Sequence, residues 1–143
     1  MATDKHQTQW SAQFAVASEL CKRGYKIALT LGNHPSEDLV VRSPGGRLFA
    51  IDVKGQVGQS FWQVTSKKAS KDLYYILAYV PRGEPNQFFI LRQTKLEEEG
   101  RKFRAQRTKQ RRLEGRSTES VGGRRGIPWN AASRYARWSA LPK

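Results

Sequence analysis

Hydrophobic positions follow two rhythms along the chain, one near four residues at the start and one of two residues through the middle. Over residues 8–23 (TQWSAQFAVASELCKR), Trp10, Phe14, Ala17 and Cys21 fall on one stripe at 100° per residue, which predicts an amphipathic helix with those four side chains turned inward. Lys22 and Arg23 complement the dipole in its last turn, and Gly24 suits the left-handed position past its end. Tyr25–Leu31 reads as a strand that Gly32-Asn33-His34-Pro35 breaks. Asp38–Arg42 and Arg47–Lys54, joined by Ser43-Pro44-Gly45-Gly46, predict a hairpin. Its second strand is apolar on both alternating faces, with Phe49, Ile51 and Val53 on one and Leu48 and Ala50 on the other, so a central position covered on both sides is expected.

A short helix near Val64–Lys71 and strands at Leu73–Val80 and Gln87–Leu91 complete the expected core. Alternation of this kind predicts an α/β fold, a central mixed β-sheet flanked by helices. Thr94-Lys95-Leu96-Glu97 has the form of a capping box, opening a further helix with Glu97, Glu98 and Glu99 near its positive end. Beyond it, EGRSTESVGGRRG (114–126) reads as a flexible loop, and the closing segment with Trp129, Tyr135, Trp138 and Leu141 is aromatic enough to dock on the core. The expected organisation is one domain over 1–143: a core at 8–92, a basic helix and loop at 94–126, and a docked aromatic segment at 127–143.

Charge narrows the choice of partner. The chain has 143 residues, with 26 Lys and Arg against 12 Asp and Glu, a net +14 whose natural complement is a polyanion. Ten of the basic residues lie between Arg101 and Gly126 against two acids; Arg101, Lys102, Arg104, Arg107, Lys109, Arg111 and Arg112 are the candidates for gripping nucleic-acid phosphates. A solvated basic face is the alternative for that run. No segment reaches the roughly 18–20 apolar residues of a membrane span, and the first residues lack the basic-then-apolar pattern of a secretory signal, so no membrane partner and a cytoplasmic location are expected. One cysteine, Cys21, precludes an internal disulfide, and two histidines, His6 and His34, argue against structural zinc.

The chemistry gathers at the open end of the hairpin. A four-residue turn sets Arg42 opposite Arg47 and Asp38 opposite Ile51, which brings Asp38 beside Asp52; Lys54 follows two residues later on the same side of the strand. Two carboxylates at the end of a buried strand suit a hard cation such as Mg²⁺, and a neighbouring lysine can orient water and offset phosphate charge. A structural Asp52–Lys54 pair, with Asp38 capping the preceding loop, is the alternative.

At Asp38 and Asp52-Val53-Lys54 the chain resembles the PD-(D/E)XK nuclease-like superfamily, in which an Asp on one strand precedes (Asp/Glu)-x-Lys on the next. The likeness extends over residues 8–92 through the order of elements, including Arg23-Gly24-Tyr25 after the first helix and Phe61-Trp62-Gln63 after the hairpin, and it is greatest toward small Holliday-junction-resolvase-like members. The resemblance implies a restriction-endonuclease-like αβββαβ core and Mg²⁺-dependent (or Mn²⁺-dependent) cleavage of phosphodiesters, with DNA the expected substrate. It implies Asp38, Asp52 and the Val53 carbonyl as metal ligands and Lys54 as the residue serving the attacking water. Gln13 stands where many relatives carry a glutamate on the first helix, and its amide can hold a water or a substrate phosphate. Glu19 points away as a surface acid, Gln63 either reaches the site or bonds at the core edge, and a homodimer is left open. A catalytically inactive nucleic-acid-binding module of the same fold is the alternative function.

Overall fold

A computed structural model of the chain describes residues 4–33, 37–122 and 125–143. The expectations placed on His34, Pro35 and Arg124 lie outside the described residues. The first helix, α1 (Lys5–Lys22), starts at Asp4, whose side chain accepts the His6 backbone N–H at 3.1 Å. Strands β1 (Lys26–Leu29), β2 (Leu39–Arg42) and β3 (Leu48–Gln56) form an antiparallel meander. The short β4 (Trp62–Gln63) is followed by β5 (Leu73–Tyr79), which lies parallel to β3, and β6 (Gln87–Arg92) returns antiparallel beside it. Strand order is β1-β2-β3-β5-β6, a mixed sheet flanked by helices, and the protein is of the α/β class. Every residue of β5 is buried, as its unbroken apolar run requires of the strand covered on both faces.

α1 covers one face of the sheet through a different stripe from the expected one. Thr8, Ala12, Gln13, Val16, Ala17 and Leu20 are inward, while Trp10 (39% exposed), Phe14 (54% exposed) and Cys21 lie outside, a rotation of about a third of a turn at 100° per residue. Close approach decides it. A methyl group at Gly55 of β3 would stand 2.6 Å from the Ala12 Cβ and 3.1 Å from the Thr8 carbonyl oxygen, so only the small-residue side of the helix fits there. Trp10 and Phe14 stack on each other instead, with ring centroids 5.7 Å apart.

The other face carries α2 (Gln93–Leu113), α3 (Glu119–Gly122), β7 (Gly126–Ile127) paired with β4, and α4 (Trp129–Ala132). Trp129 stacks on Trp62 and meets Tyr79 and Phe89 edge-on, while Leu141 and Trp138 pack in the α1-side core. The segment read as a flexible loop is helical at α3 and extended at β7. At the hairpin end that second face is open: Val40 is 42% and Leu48 65% exposed, so β3 is covered on both sides only in its later half.

Three further expectations are corrected. The hairpin register is one residue off: Arg42 pairs with Leu48, because the Ser43 N–H donates to the Arg47 carbonyl at 2.8 Å and the Ser43 hydroxyl oxygen accepts the Arg47 N–H at 2.9 Å, around a three-residue loop ending at Gly46, φ +93°. No helix forms at Val64–Lys71, so the αβββαβ order lacks its second helix. The Gln93 side chain, 1% exposed, accepts the Ser70 N–H at 2.7 Å and donates to the Lys68 carbonyl at 3.1 Å, satisfying that backbone without helical bonds. Because Gln93 opens α2 directly from β6, Thr94 sits inside the first turn; the N-cap is Arg92, whose side chain makes no capping bond.

Candidate functional site

β3 runs on past the four residues of β2, and beyond Ile51 its β2-side backbone groups lose their strand partner. Two side chains replace that partner. Asp38 Oδ2 accepts the Val53 N–H at 2.8 Å. Gln9 of α1 behaves as a detached peptide unit: its Nε2 donates to the Val53 carbonyl at 2.7 Å and its Oε1 accepts the Gly55 N–H at 3.3 Å. The departure of β2 from β3 thus fixes Asp38 against the backbone of the very strand that carries Asp52 and Lys54. Gln13, buried on α1, donates from Nε2 to Asp38 Oδ1 at 3.2 Å, so the expected site residues Gln13, Asp38, Asp52, Val53 and Lys54 meet at one rim of the sheet.

Asp52 lies on the α2 side of β3, its side chain 4% exposed. The Lys54 ammonium stands 3.1 Å from Oδ1, yet that oxygen takes no aligned hydrogen bond, while Lys67 holds Oδ2. Beside Asp52 in the parallel pairing stands Tyr75, with the Lys67 ammonium 5.8 Å from its ring centre. Burial raises the Asp38 carboxyl above the usual carboxylate range; the Val53 N–H opposes this, the Asp52 charge adds to it, and Lys54 and Lys67 counter it. Burial, with Asp52 and Glu97 nearby, also raises the Tyr75 hydroxyl.

These donors fit Mg²⁺. Asp38, Asp52 and the Val53 carbonyl offer only oxygen, and Asp52 Oδ1, 3.1 Å from the Lys54 ammonium, accepts no aligned hydrogen bond. The Val53 carbonyl keeps one lone pair beyond the one Gln9 uses. Among the described residues no three His, Cys, Asp or Glu side chains gather, so backbone and water would complete such a shell.

Gln9, Lys67 and Tyr75 were not singled out from sequence. Gln9 was findable, since it precedes Gln13 by four and shares its helix face. Tyr75 follows only from the β3–β5 register, and Lys67 sits in a Ser- and Lys-rich segment without periodicity. Gln63 is exposed and pairs with Gly126, and Glu19 forms surface ion pairs with Lys22 and Arg23.

The seven basic candidates on α2 do not make one stripe. Arg104, Arg107 and Arg111 share a half-buried face, Arg101 and Arg112 lie together to one side of it, and Lys102 and Lys109 lie nearly opposite. Arg111 donates to the Ser117 carbonyl at 3.0 Å, and Lys102 pairs with Glu98 at 3.1 Å, so both already serve the protein's own structure. No helix among the described residues is long and apolar enough to cross a membrane. Comparison of the chain with protein-family models, with curated proteins and with solved structures finds no match in any of the three.

Proposed function

We propose that this protein is a Mg²⁺-dependent nuclease of the PD-(D/E)XK kind that hydrolyses phosphodiester bonds in DNA. One observation carries the reading: Asp38 is bonded to the Val53 N–H where β2 leaves β3, beside a buried Asp52 with Lys54 two residues on. Asp38, Asp52 and the Val53 carbonyl would hold the cation, which when bound supplies charge neutralisation at the phosphate and an acidified water. Gln9 and Gln13 hold the ligand atoms in place, the first through the β3 backbone and the second through Asp38. Lys54, about a third exposed, has the reach to orient a water toward phosphorus and to oppose charge as it develops on the phosphate oxygens. Lys67 adds a second ammonium to the same side.

A second reading has its own support. Lys54 and Lys67 together match the charges of Asp38 and Asp52, a balance that serves a nucleic-acid-binding module without catalysis. Incubation with plasmid, branched and single-stranded DNA separates the two. The nuclease reading expects strand cleavage in Mg²⁺ or Mn²⁺, none in chelator, and Ca²⁺ supporting binding without comparable turnover, because its looser coordination places water less well. Tight binding with no cleavage in any metal would establish the module instead.

A further inference from the structure

Between the acidic centre and α2 lies a cleft of about 220 Å³, lined by Thr65, Ser66, Tyr75, Arg101, Arg104 and Arg125. Two glycines build it. A Cβ at Gly100 would stand 3.2 Å from the Gly126 carbonyl oxygen and 3.3 Å from an Arg104 guanidinium nitrogen, and one at Gly126, φ +130°, would overlap the Trp62 carbonyl. Their absence lets the flank of α2 settle on the β4–β7 ribbon and brings arginines from two distant segments around one small space. Tyr75 is the shared wall: it lines the cleft and stands opposite Asp52 in the β3–β5 pairing.

We infer that this cleft takes the terminal phosphate monoester of a nucleic-acid strand, an inference that rests on the nuclease reading only for what carries the phosphate. Charge selects the monoester. Three guanidinium groups against the single carboxylate of Glu97 leave the cleft at +2, which matches a monoester of −1.5 to −2 better than an internal phosphodiester of −1. Size agrees, because the space accommodates one phosphoryl group with its hydrogen-bonding partners and is too small for a duplex. The guanidinium groups supply paired N–H donors, and the Thr65, Ser66 and Tyr75 hydroxyls supply single ones. A strand end held there lies beside the Asp52–Lys54 rim, so the protein would recognise ends rather than strand interiors.

The test is equilibrium binding in chelator, where no cleavage occurs, of one fluorescent oligonucleotide bearing a 5′-phosphate, a 3′-phosphate or hydroxyls at both ends. One phosphorylated end should bind about tenfold more tightly than the hydroxyl-ended strand, and millimolar inorganic phosphate should abolish the difference. Arg104→Gln and Arg101→Gln should each erase that preference, whereas Arg82→Gln, a charge loss in the turn at the far end of β5, should keep it. Circular dichroism checks that each variant is folded; if Arg104→Gln is not, Arg101→Gln and the parent's phosphate competition decide. Equal affinity for all three strands overturns the inference, as does a preference that survives both arginine changes or inorganic phosphate that binds while strand-end phosphates confer no advantage. Cleavage in Mg²⁺ is scored separately: end preference without cleavage keeps the cleft and sinks the nuclease, and cleavage without end preference does the reverse.

Discussion

Asp52→Asn is expected to reduce single-turnover cleavage by at least about a thousandfold, equivalent to roughly 4 kcal/mol of barrier, while leaving DNA affinity in chelator equal or improved. The change removes a proposed cation ligand and a negative charge that faces the phosphate, and it keeps the shape of the side chain. It also leaves Lys54 and Lys67 without their carboxylate. A cost of about 1–3 kcal/mol in stability, below that of a fully buried pair because both lysines are partly exposed, should lower the Tm. Asp38→Asn should lose cleavage without that cost. Its carboxylate is disfavoured by burial, the neutral amide oxygen can still accept the Val53 N–H while Gln13 turns its own amide oxygen toward the new NH2, and thermal unfolding should show a Tm equal to or above the parent's. The opposite stability signs distinguish a charge-balanced carboxylate at Asp52 from a desolvated one at Asp38. An Asp52→Asn protein that cleaves at the parental rate would remove Asp52 from the chemistry.

The proposed grip and the proposed chemistry lie on different segments, so an Arg107→Gln/Arg112→Gln protein should behave in the converse way. Each lost phosphate contact lowers the salt slope of binding by about 0.9, and two lost contacts weaken affinity roughly thirtyfold at 0.15 M salt. Cleavage of bound DNA under single-turnover conditions should persist. Arg111 is omitted because its bond to the Ser117 carbonyl ties down the end of α2, and its loss would mix folding with binding. Affinity and salt slope matching the parent's would make these arginines a solvated face and put the grip elsewhere.

Much of the sheet was legible because β5 and β6 announce themselves as apolar runs and the hairpin by its Pro-Gly-Gly turn. Asp38 reached the strand that carries Asp52 even though the register was one residue off, since Asp38 and Val53 lie beyond the last ladder pair, where the Asp38 carboxylate takes the Val53 N–H. Helix orientation was not legible. Trp10 and Phe14 are the most hydrophobic residues of α1, but steric clearance at Gly55 outweighs their burial, and a clearance of that kind appears only once strand and helix are placed together. The missing helix at Val64–Lys71 has a similar origin: a buried glutamine 23–26 residues away in the chain satisfies that backbone. Lys67 and Tyr75 entered the site through the β3–β5 crossover, a pairing that local pattern does not specify.

Asp38 and Asp52 are proposed to share one divalent cation, and Mn²⁺ binding followed by electron paramagnetic resonance reads this without any substrate. Titrating Mn²⁺ into the parent protein should remove one equivalent of the free-ion signal, with Mg²⁺ competing for the same site, and both Asp38→Asn and Asp52→Asn should weaken that uptake at least tenfold. Mn²⁺ uptake equal in all three proteins, or absent from the parent, would contradict the shared-cation centre.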